Sequence, residues 1–375
     1  MWFLDVNILL LLIAAGFAIM ILRVINHNSR FKLPINHIMA ISTLVILYSI
    51  DKKLLFFYVA YILITYAFNI ILLKAKRFKK VLFFTFSVVA ILPFLFGRFD
   101  NIFLILGIAY TIFKAIDSFY HTYYGEQKID FLTYVNFILF LPVFTSGPIH
   151  RYREFASTMK APIKPSVENI SYAARRIIRG FFKKVVLVAL VTIPFVHLQE
   201  LTPTWSISLL LIVMSYLLIY LDLSGYSDIA IGIGALWGIK VPENFKKPWN
   251  APTMSQFWRS WHVSLSDNIR EHIYVVVVKK KITKLQGGLI GFLTMIIMAM
   301  WHGFNLPYLI AGTYLGLILF IENIFSITTL NRRTANAVHF RLRCLTTNFL
   351  FALNSLVFTL PHDRVLPVLK GLVSF

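Results

Sequence analysis

Two histidines have the side-chain chemistry that proton transfer requires. His302 ends a long apolar segment in Met-Trp-His-Gly (300–303), and His262 lies in Phe-Trp-Arg-Ser-Trp-His-Val-Ser-Leu-Ser (257–266). An imidazole titrates near neutral pH, so it can accept a proton from a hydroxyl nucleophile. Gly303, directly after His302, would leave room for a substrate. We therefore predict that His302 is a general base; the alternative is a structural histidine.

The segment around His262 predicts an amphipathic helix over residues 255–266. Trp258, Trp261 and Leu265 would share one face, since residues three and four apart are neighbours on a helix. His262 would lie on an adjoining stripe that points inward. The alternative is an interfacial belt in which the tryptophans and the histidine anchor at lipid head groups.

A polar group of residues also interrupts the apolar sequence at 220–228. It contains two carboxylates, Asp222 and Asp228, and several hydroxyl groups, including those of Ser224 and Tyr226. A carboxylate at the centre of a membrane helix costs about 2.5 to 3.5 kcal/mol, so these residues are either near an interface or functional. We interpret them as structural support in which the carboxylates cap the next helix or pair with arginine.

The composition predicts that most of the chain lies in lipid. Of 375 residues, 58% are hydrophobic and only 14% are charged, and the mean hydropathy is +0.74. The net charge of +21 could suggest a nucleic-acid partner, but the basic residues separate apolar runs and form no single polar face. The sequence therefore predicts an all-α, polytopic membrane protein with membrane lipid and no nucleic acid as partner. The one cysteine, Cys344, excludes an intramolecular disulfide.

The apolar windows predict about 11 transmembrane or re-entrant helices. The first window, about 6–22, could be a signal peptide, but Asp5 leads it and no small-residue cleavage site follows, so we expect a retained helix. Windows shorter than about 17 residues are candidates for re-entrant or broken segments. The other windows lie at about 36–50, 54–73, 80–97, 102–118, 131–146, 182–198, 205–222, 226–238, 286–301, 307–326 and 344–360.

The distribution of lysine and arginine predicts the orientation. The long segments 150–184 and 239–284 are rich in both residues, whereas the turns at 199–204 and 303–306 contain neither. Basic residues near helix ends stay on the cytoplasmic side, so the first two segments face the cytoplasm and the two turns face out. We expect the long segments to form amphipathic helices at the interface. Counting every window within 101–147 as a full membrane span would contradict this orientation. We therefore expect one segment there to be re-entrant.

Five motifs resemble those of the membrane-bound O-acyltransferases, in the family's order and approximate spacing. A sixth segment, Ser-Gly-Pro-Ile-His-Arg (146–151), resembles the bacterial branch, which includes the D-alanyl transfer protein of teichoic acid modification and the alginate and peptidoglycan O-acetyltransferases. The five motifs are Leu-Ser-Gly-Tyr-Ser-Asp (223–228), Val-Pro-Glu-Asn-Phe (241–245), the His262 segment 257–266, Arg-Glu-His-Ile-Tyr (270–274) and the His302 segment 300–303.

This resemblance implies a ring of helices around a thin wall with a central tunnel. His302 matches the family's catalytic histidine, and His262 matches the second histidine, which would support it by orienting the reacting groups or stabilising the developing charge. The resemblance implies one membrane domain over 1–375, with peripheral helices to about 100, a core over about 101–326 and C-terminal helices over 327–375. The matching positions expected to support or line the tunnel are Asp222, Ser224, Tyr226, Asp228, Asn244, Trp258, Arg259, Trp261, Ser264, Arg270 and Trp301.

The resemblance implies no metal and no bound cofactor. The donor would be an acyl thioester, carried on the phosphopantetheine of an acyl carrier protein or as acyl-CoA, and a second, extracytoplasmic acyltransferase would complete delivery. The acceptor would be a hydroxyl of a cell-envelope polymer, and the protein would be a multi-pass protein of the inner or plasma membrane.

The acyl group is left open between D-alanyl and acetyl. Alginate-type proteins usually have a Gly-Gly-Asn-Arg-like turn after Tyr274, whereas this chain continues with four valines and three lysines (275–281), which resembles the D-alanyl branch. There an apolar surface docks the carrier protein, so Val275, Val276, Val277 and Val278 are candidate docking residues, with Lys279–Lys281 attracting an acidic carrier. The alternative is a helix end with basic anchors. Glu271 and His272 also depart from the family's Arg-Asp-Tyr segment.

Two other classes compete with an acyltransferase. A transporter or flippase of an envelope precursor would use Asp222, Asp228 and the histidines as a proton or substrate path, but it would distribute carboxylates through the core, and here they cluster. A noncatalytic scaffold would tolerate replacement of either histidine.

Overall fold

The computed structural model describes residues 6–28, 34–99, 106–160, 166–277 and 282–374, which fold into helices with no strand among them. The α-helices are α1 (Val6–Asn28), α2 (Ile35–Ile50), α3 (Lys52–Lys74), α4 (Lys79–Phe99), α5 (Ile108–Gly125), α6 (Phe131–Ile138), α7 (Tyr152–Lys160), α8 (Val167–Phe181), α9 (Val188–Glu200), α10 (Trp205–Leu236), α11 (Met254–Trp258), α12 (Val263–Val277), α13 (Lys284–His302), α14 (Leu306–Ile324), α15 (Ala337–Thr359) and α16 (His362–Gly371).

The helices form two compact units. Unit 1 comprises Met1–Arg179 and Ser227–Glu243, and unit 2 comprises Gly180–Tyr226 and Asn244–Phe375. Both histidines of the predicted site belong to unit 2. The single domain with boundaries near 100 and 326 stays a prediction, as do the ring of helices and its tunnel.

Several helices are long and apolar enough to cross a membrane, which confirms the prediction of an all-α, polytopic membrane protein. Two shorter apolar helical stretches, Leu10–Ile25 and Ile35–Ile50, precede them. Within the described residues the candidate spans are Lys52–Lys74, Lys79–Gly97, Val167–Glu200, Trp205–Leu236, Lys284–His302 and Leu306–Ile324.

Three of the predicted windows are wrong in detail. Windows 205–222 and 226–238 form one continuous helix, α10, since the Ser-Gly pair at 224–225 does not interrupt it. Window 131–146 is broken, because α6 ends at Ile138 and a 3₁₀ turn, Leu141–Val143, follows it. A broken segment here fits the re-entrant segment that we expect within 101–147.

Segment 150–184 contains the amphipathic helices that the sequence predicts. The amphipathic helix α8 runs through a π-helical turn, Phe182–Leu187, into the apolar helix α9. A π turn is rare and often marks a functional position. The polar part of this long helix therefore ends at its π turn, near the predicted boundary.

Unit 1 is held together by buried polar bonds between helices. The amide of Asn69 on α3 donates to the hydroxyl of Ser118 on α5 (3.0 Å) and accepts from that of Thr122 (2.8 Å). The hydroxyl of Tyr134 on α6 donates to that of Thr65 (2.8 Å). Such hydrogen bonds stabilise helix association in lipid, where the hydrophobic effect contributes little to contacts between helices.

The Ser-Gly-Pro-Ile-His-Arg segment is anchored inside unit 1. Asp117 of α5 accepts from the guanidinium of Arg151 (3.1 Å) and from the N–H of Tyr152 (2.6 Å). Nε2 of the fully buried His150 lies 3.2 Å from the carbonyl oxygen of Lys240. Gly147 has φ +96°, a left-handed conformation that favours glycine. The described contacts of this segment are therefore structural.

In unit 2, helices α13 and α14 form a closely packed hairpin. A Cβ added to Gly312 of α14 would lie 2.9 Å from the carbonyl oxygen of Met295, and one added to Gly316 would lie 2.9 Å from that of Phe292. The two glycines form a Gly-x-x-x-Gly pattern, which lets helix backbones approach closely. This hairpin fixes the position of His302, which ends α13.

Candidate functional site

His262 lies in a turn between two helices, so the helix predicted over 255–266 is wrong. Helix α11 ends at Trp258 and α12 begins at Val263. The N–H of Trp261 donates to the carbonyl oxygen of Phe257 (2.8 Å), and the chain then leaves helical geometry. His262 has φ +48°, in the left-handed region that non-glycine residues seldom adopt. Such backbone strain persists only where the surroundings enforce it, and it clusters at functional sites.

Asn244 enforces that turn. Its carbonyl oxygen accepts from the N–H of Val263 (2.9 Å), and its side-chain oxygen accepts from the N–H (3.2 Å) and the hydroxyl (2.9 Å) of Ser264. The side-chain bonds cap the first turn of α12. Asn244 and Ser264, both predicted as supporting residues, therefore hold His262 in place.

Aromatic rings pack around Trp261, directly before His262. The ring of Phe351 on α15 lies 4.7 Å from that of Trp261, and the ring of Phe257 stacks at 5.3 Å. Tyr216 of α10 stacks at 5.7 Å. Trp258, which we predicted on the same face as Trp261, also contacts Phe351, at 5.9 Å. Each such pair contributes about 0.5 to 1.5 kcal/mol beyond area burial, so the cluster rigidifies the turn.

Glu322 is a supporting residue that the sequence analysis missed. Its buried carboxylate on α14 accepts from the N–H of Met254 (2.6 Å) and from that of Ser255 (2.8 Å), at the start of α11. It is the only charged residue in residues 306–324. An isolated carboxylate in an apolar segment indicates function or a specific partner, and that signal was available in the sequence.

His302 differs from His262 in being exposed. Its ring lies 4.9 Å from that of Phe358 on α15 and 6.0 Å from that of Tyr308 on α14. The room that we expected beside Gly303 is occupied, because a Cβ there would lie 2.7 Å from Cε2 of Tyr308. The glycine therefore admits a tyrosine ring, and only the exposed side of His302 remains for a substrate.

The environment of His262 changes its protonation. Burial, and to a smaller extent the charge of a protonated His302, lower the pKa of His262 to about 4. His262 is therefore neutral at pH 7. Its Nδ1 has no hydrogen-bond partner among the residues that the structure describes. A neutral imidazole with an unpaired nitrogen, fixed in a strained turn, is suited to orient a reacting group or to donate to developing negative charge.

The pKa of His262 predicts how stability depends on pH. An ordinary histidine titrates near pH 6.5, so the unfolded chain takes up a proton there while the folded chain resists until about pH 4. We expect the free energy of unfolding to fall by about 2 kcal/mol from His262 alone between about pH 7.5 and about pH 5. Thermal unfolding of the purified protein should show the loss in wild type and a smaller loss in His262→Asn. An equal loss of stability in wild type and in His262→Asn would contradict this prediction. The control is replacement of the exposed His339.

The polar group at 220–228 is ion-paired. Asp222 accepts from the buried ammonium of Lys184, in the π turn. In unit 1, Asp228 pairs with Arg176 (2.7 Å) and Arg179 (3.5 Å). The prediction that a carboxylate pairs with arginine is confirmed for Asp228. The prediction that these carboxylates cap a following helix is wrong, because α10 continues through them.

The other predicted residues have varied surroundings. Ser224 and Tyr226 are buried. Arg259 is exposed in the turn, and Arg270 pairs at the surface with Asp267 (2.6 Å), a class of contact that contributes about 0 to 1 kcal/mol. The ring of Trp301 lies 5.1 Å from that of His302. Val278 and the side chains of Val275, Val276 and Val277 lie outside the described residues, so the docking surface stays a prediction.

Comparison with known proteins gives consistent matches. The chain is 32% identical to the probable alginate O-acetylase AlgI of Pseudomonas syringae pv. tomato, over 61% of this chain and 45% of that protein. It is 32% identical to the teichoic acid D-alanyltransferase of Bacillus subtilis, over 60% of each chain. It is 28% identical to that of Streptococcus thermophilus, over 72% of this chain and 70% of that protein.

The chain spans about half the length of the alginate relatives that it matches. A family model described as MBOAT, the membrane-bound O-acyltransferase family, matches residues 47–360. This range is most of the chain and includes the His262 turn and His302, so the chain belongs to the membrane-bound O-acyltransferase family.

Proposed function

We propose that this protein is an O-acyltransferase that moves a short acyl group, D-alanyl or acetyl, to a hydroxyl of a cell-envelope polymer or of an intermediate acceptor. The observation that carries the proposal is the pair of unlike histidines, one exposed at the end of an apolar span and one buried and neutral in a strained turn. Family membership and relatives named as acetyl and D-alanyl transferases support it.

The proposed reaction begins with His302 as general base. A ring nitrogen of His302 takes the proton of the acceptor hydroxyl while the hydroxyl oxygen attacks the thioester carbonyl. As the new ester C–O bond forms, the C–S bond breaks, and the imidazolium of His302 returns the proton to the leaving thiolate. General base catalysis of this kind contributes about 10²- to 10⁴-fold in rate.

His262 has a different part in this proposal. Because its pKa is about 4, it is a poor proton acceptor at neutral pH, and its imidazole N–H is available as a donor. It would orient His302 or the carbonyl oxygen on which negative charge develops. Asn244, Ser264 and Glu322 would act as positioning residues, since they fix the turn that carries His262.

The proposal places the protein in the inner or plasma membrane, with the thioester donor on the cytoplasmic side. The donor would be an acyl carrier protein or acyl-CoA, and a carrier would dock at Val275–Val278, where Lys279–Lys281 would attract its acidic surface. An extracytoplasmic acyltransferase would be a further partner where the direct acceptor is an intermediate.

The ion pairs argue against a transporter or flippase. A proton path needs carboxylates that can change their protonation state during transport. Asp222 is bound to Lys184, and Asp228 is bound to two arginines. These two carboxylates are therefore committed to structural ion pairs.

The test is to delete the gene from its own host and to restore it on a plasmid. We expect ester-linked acyl groups on the envelope polymers to disappear in the deletion strain and to return with the plasmid. Mass spectrometry of the released groups would identify D-alanine or acetate. Unchanged ester content in the deletion strain would overturn the proposal. The empty plasmid is the control.

A further inference from the structure

Unit 2 contains a second feature, away from the two histidines, that the proposed reaction does not use. A cavity of about 500 Å³ lies between α10, the turn at 249–250, and the start of α15. Arg332 and Arg341 line it, together with the aromatic rings of Trp249 and Phe340 and the amide of Asn348. It therefore combines two cationic groups, aromatic walls and a polar side chain.

The charges of the two arginines are uncompensated within the described part of the chain. No carboxylate there forms an ion pair with Arg332 or Arg341, and both side chains are exposed. Guanidinium groups match the geometry of phosphate oxygens and bind them with two parallel hydrogen bonds. The cavity is thus suited to a phosphate-bearing ligand.

One face of α15 extends the cavity with an apolar surface. The side chains of Val338, Leu342, Leu345 and Phe349 are exposed by 66%, 57%, 68% and 40%, and their spacing places them on one helix face. Leu345 also lines the cavity. A ligand with a phosphate in the cavity would therefore have an apolar surface directly beside it.

The basic residues indicate the leaflet to which this cavity faces. Four arginines, Arg332, Arg333, Arg341 and Arg343, flank the N-terminal end of α15, whereas residues 344–363 contain no lysine or arginine. Basic residues concentrate at the cytoplasmic end of a membrane helix. Anionic phospholipids are attracted to basic pockets between helices on that side.

We propose that this cavity binds the head group of an anionic phospholipid of the cytoplasmic leaflet. Arg332 and Arg341 hold the phosphate, and the acyl chains lie along the exposed face of α15. The site connects to the functional turn, because Tyr216 at the cavity donates to Asn348 (2.8 Å) and stacks on Trp261. The proposal does not depend on the proposed acyl transfer, since lipid binding is measured without it.

The test is native mass spectrometry of the full-length protein in detergent with added phosphatidylglycerol or phosphatidylcholine. We expect tighter binding of phosphatidylglycerol. Arg332→Gln and Arg341→Gln should each weaken it about fivefold, the effect of one cationic side chain near an anionic lipid surface. Arg333→Gln removes the same charge from a neighbouring residue that does not line the cavity, and it should leave the affinity unchanged.

A second measurement locates the lipid. Phosphatidylglycerol with a photoactivatable acyl chain should cross-link to peptides containing Leu342 and Leu345, and the Arg332→Gln Arg341→Gln double variant should lose this cross-link. Equal affinity for both lipids, equal effects of all three single substitutions, or cross-links elsewhere would overturn the proposal. Displacement of phosphatidylglycerol by coenzyme A at equal concentration would also overturn the proposal. The cavity would then bind the phosphate of a soluble acyl donor instead of a lipid head group.

Discussion

Replacing His302 with alanine is expected to lower the ester-linked acyl content of envelope polymers by about 100-fold or more, because the proposed general base is lost. The side chain is exposed, so its removal leaves no buried cavity, and the abundance of the protein in the membrane should change little. Mass spectrometry of released acyl groups, normalised to the amount of membrane protein, measures the effect.

The control for His302→Ala is His339→Ala, which removes another exposed histidine, near the start of α15. It should leave ester content at the wild-type level. His262→Asn should reduce ester content less than His302→Ala, since asparagine tolerates the left-handed backbone and retains a donor. Wild-type ester content in the His302 variant would contradict the general-base role and would leave a scaffold as the better interpretation.

Replacing Glu322 with alanine is expected to destabilise unit 2 by about 2 to 6 kcal/mol. The substitution removes the acceptor of two backbone N–H groups, those of Met254 and Ser255, and each buried donor without a partner costs about 1 to 3 kcal/mol. Helix α11 has only five residues, so it depends on this anchor. Thermal unfolding of the purified protein should show the loss, and ester content should fall as the His262 turn loosens.

Two variants test whether the anchor explains this effect. Glu322→Gln keeps one side-chain oxygen for the two N–H groups and should lose less stability than Glu322→Ala. Glu126→Ala removes an exposed carboxylate that pairs with Lys79 at the surface, and it should cost less than about 1 kcal/mol. A Glu322→Ala protein that unfolds at the wild-type temperature would refute the anchoring role.

The candidate spans follow directly from the sequence, because lipid requires each backbone amide to bond within its own helix. The break between helices α11 and α12 at His262 does not follow from the sequence. Residues 255–266 contain no glycine or proline to end a helix, and their aromatic spacing fits a continuous one. The break depends on Asn244, whose position relative to Val263 is a tertiary fact that local patterning does not encode.

At Ser224 and Gly225 the sequence analysis made the opposite error, because it predicted an interruption in a helix that is continuous. Glycine weakens helices in water, but in an apolar segment the backbone has no alternative partner, and α10 therefore continues through the pair. Gly225 is needed for packing instead, since a Cβ there would lie 2.9 Å from the carbonyl oxygen of Gly180. Pairing of Asp222 with Lys184 was likewise hidden, because the two residues are 38 positions apart.

The ion-paired group around Arg176 has a consequence for the electrostatic potential of the protein. Arg176 binds both Asp228 and Glu243 (2.7 Å to each), and Arg179 adds a second guanidinium, so two positive and two negative charges lie together. Such a neutral quartet contributes little to the field at a distance. The net charge of +21 must therefore come from other lysines and arginines. Many of these side chains are exposed, and salt screens the attraction of exposed charges to acidic lipids and acidic proteins. Raising ionic strength should then weaken peripheral encounters while leaving this quartet intact.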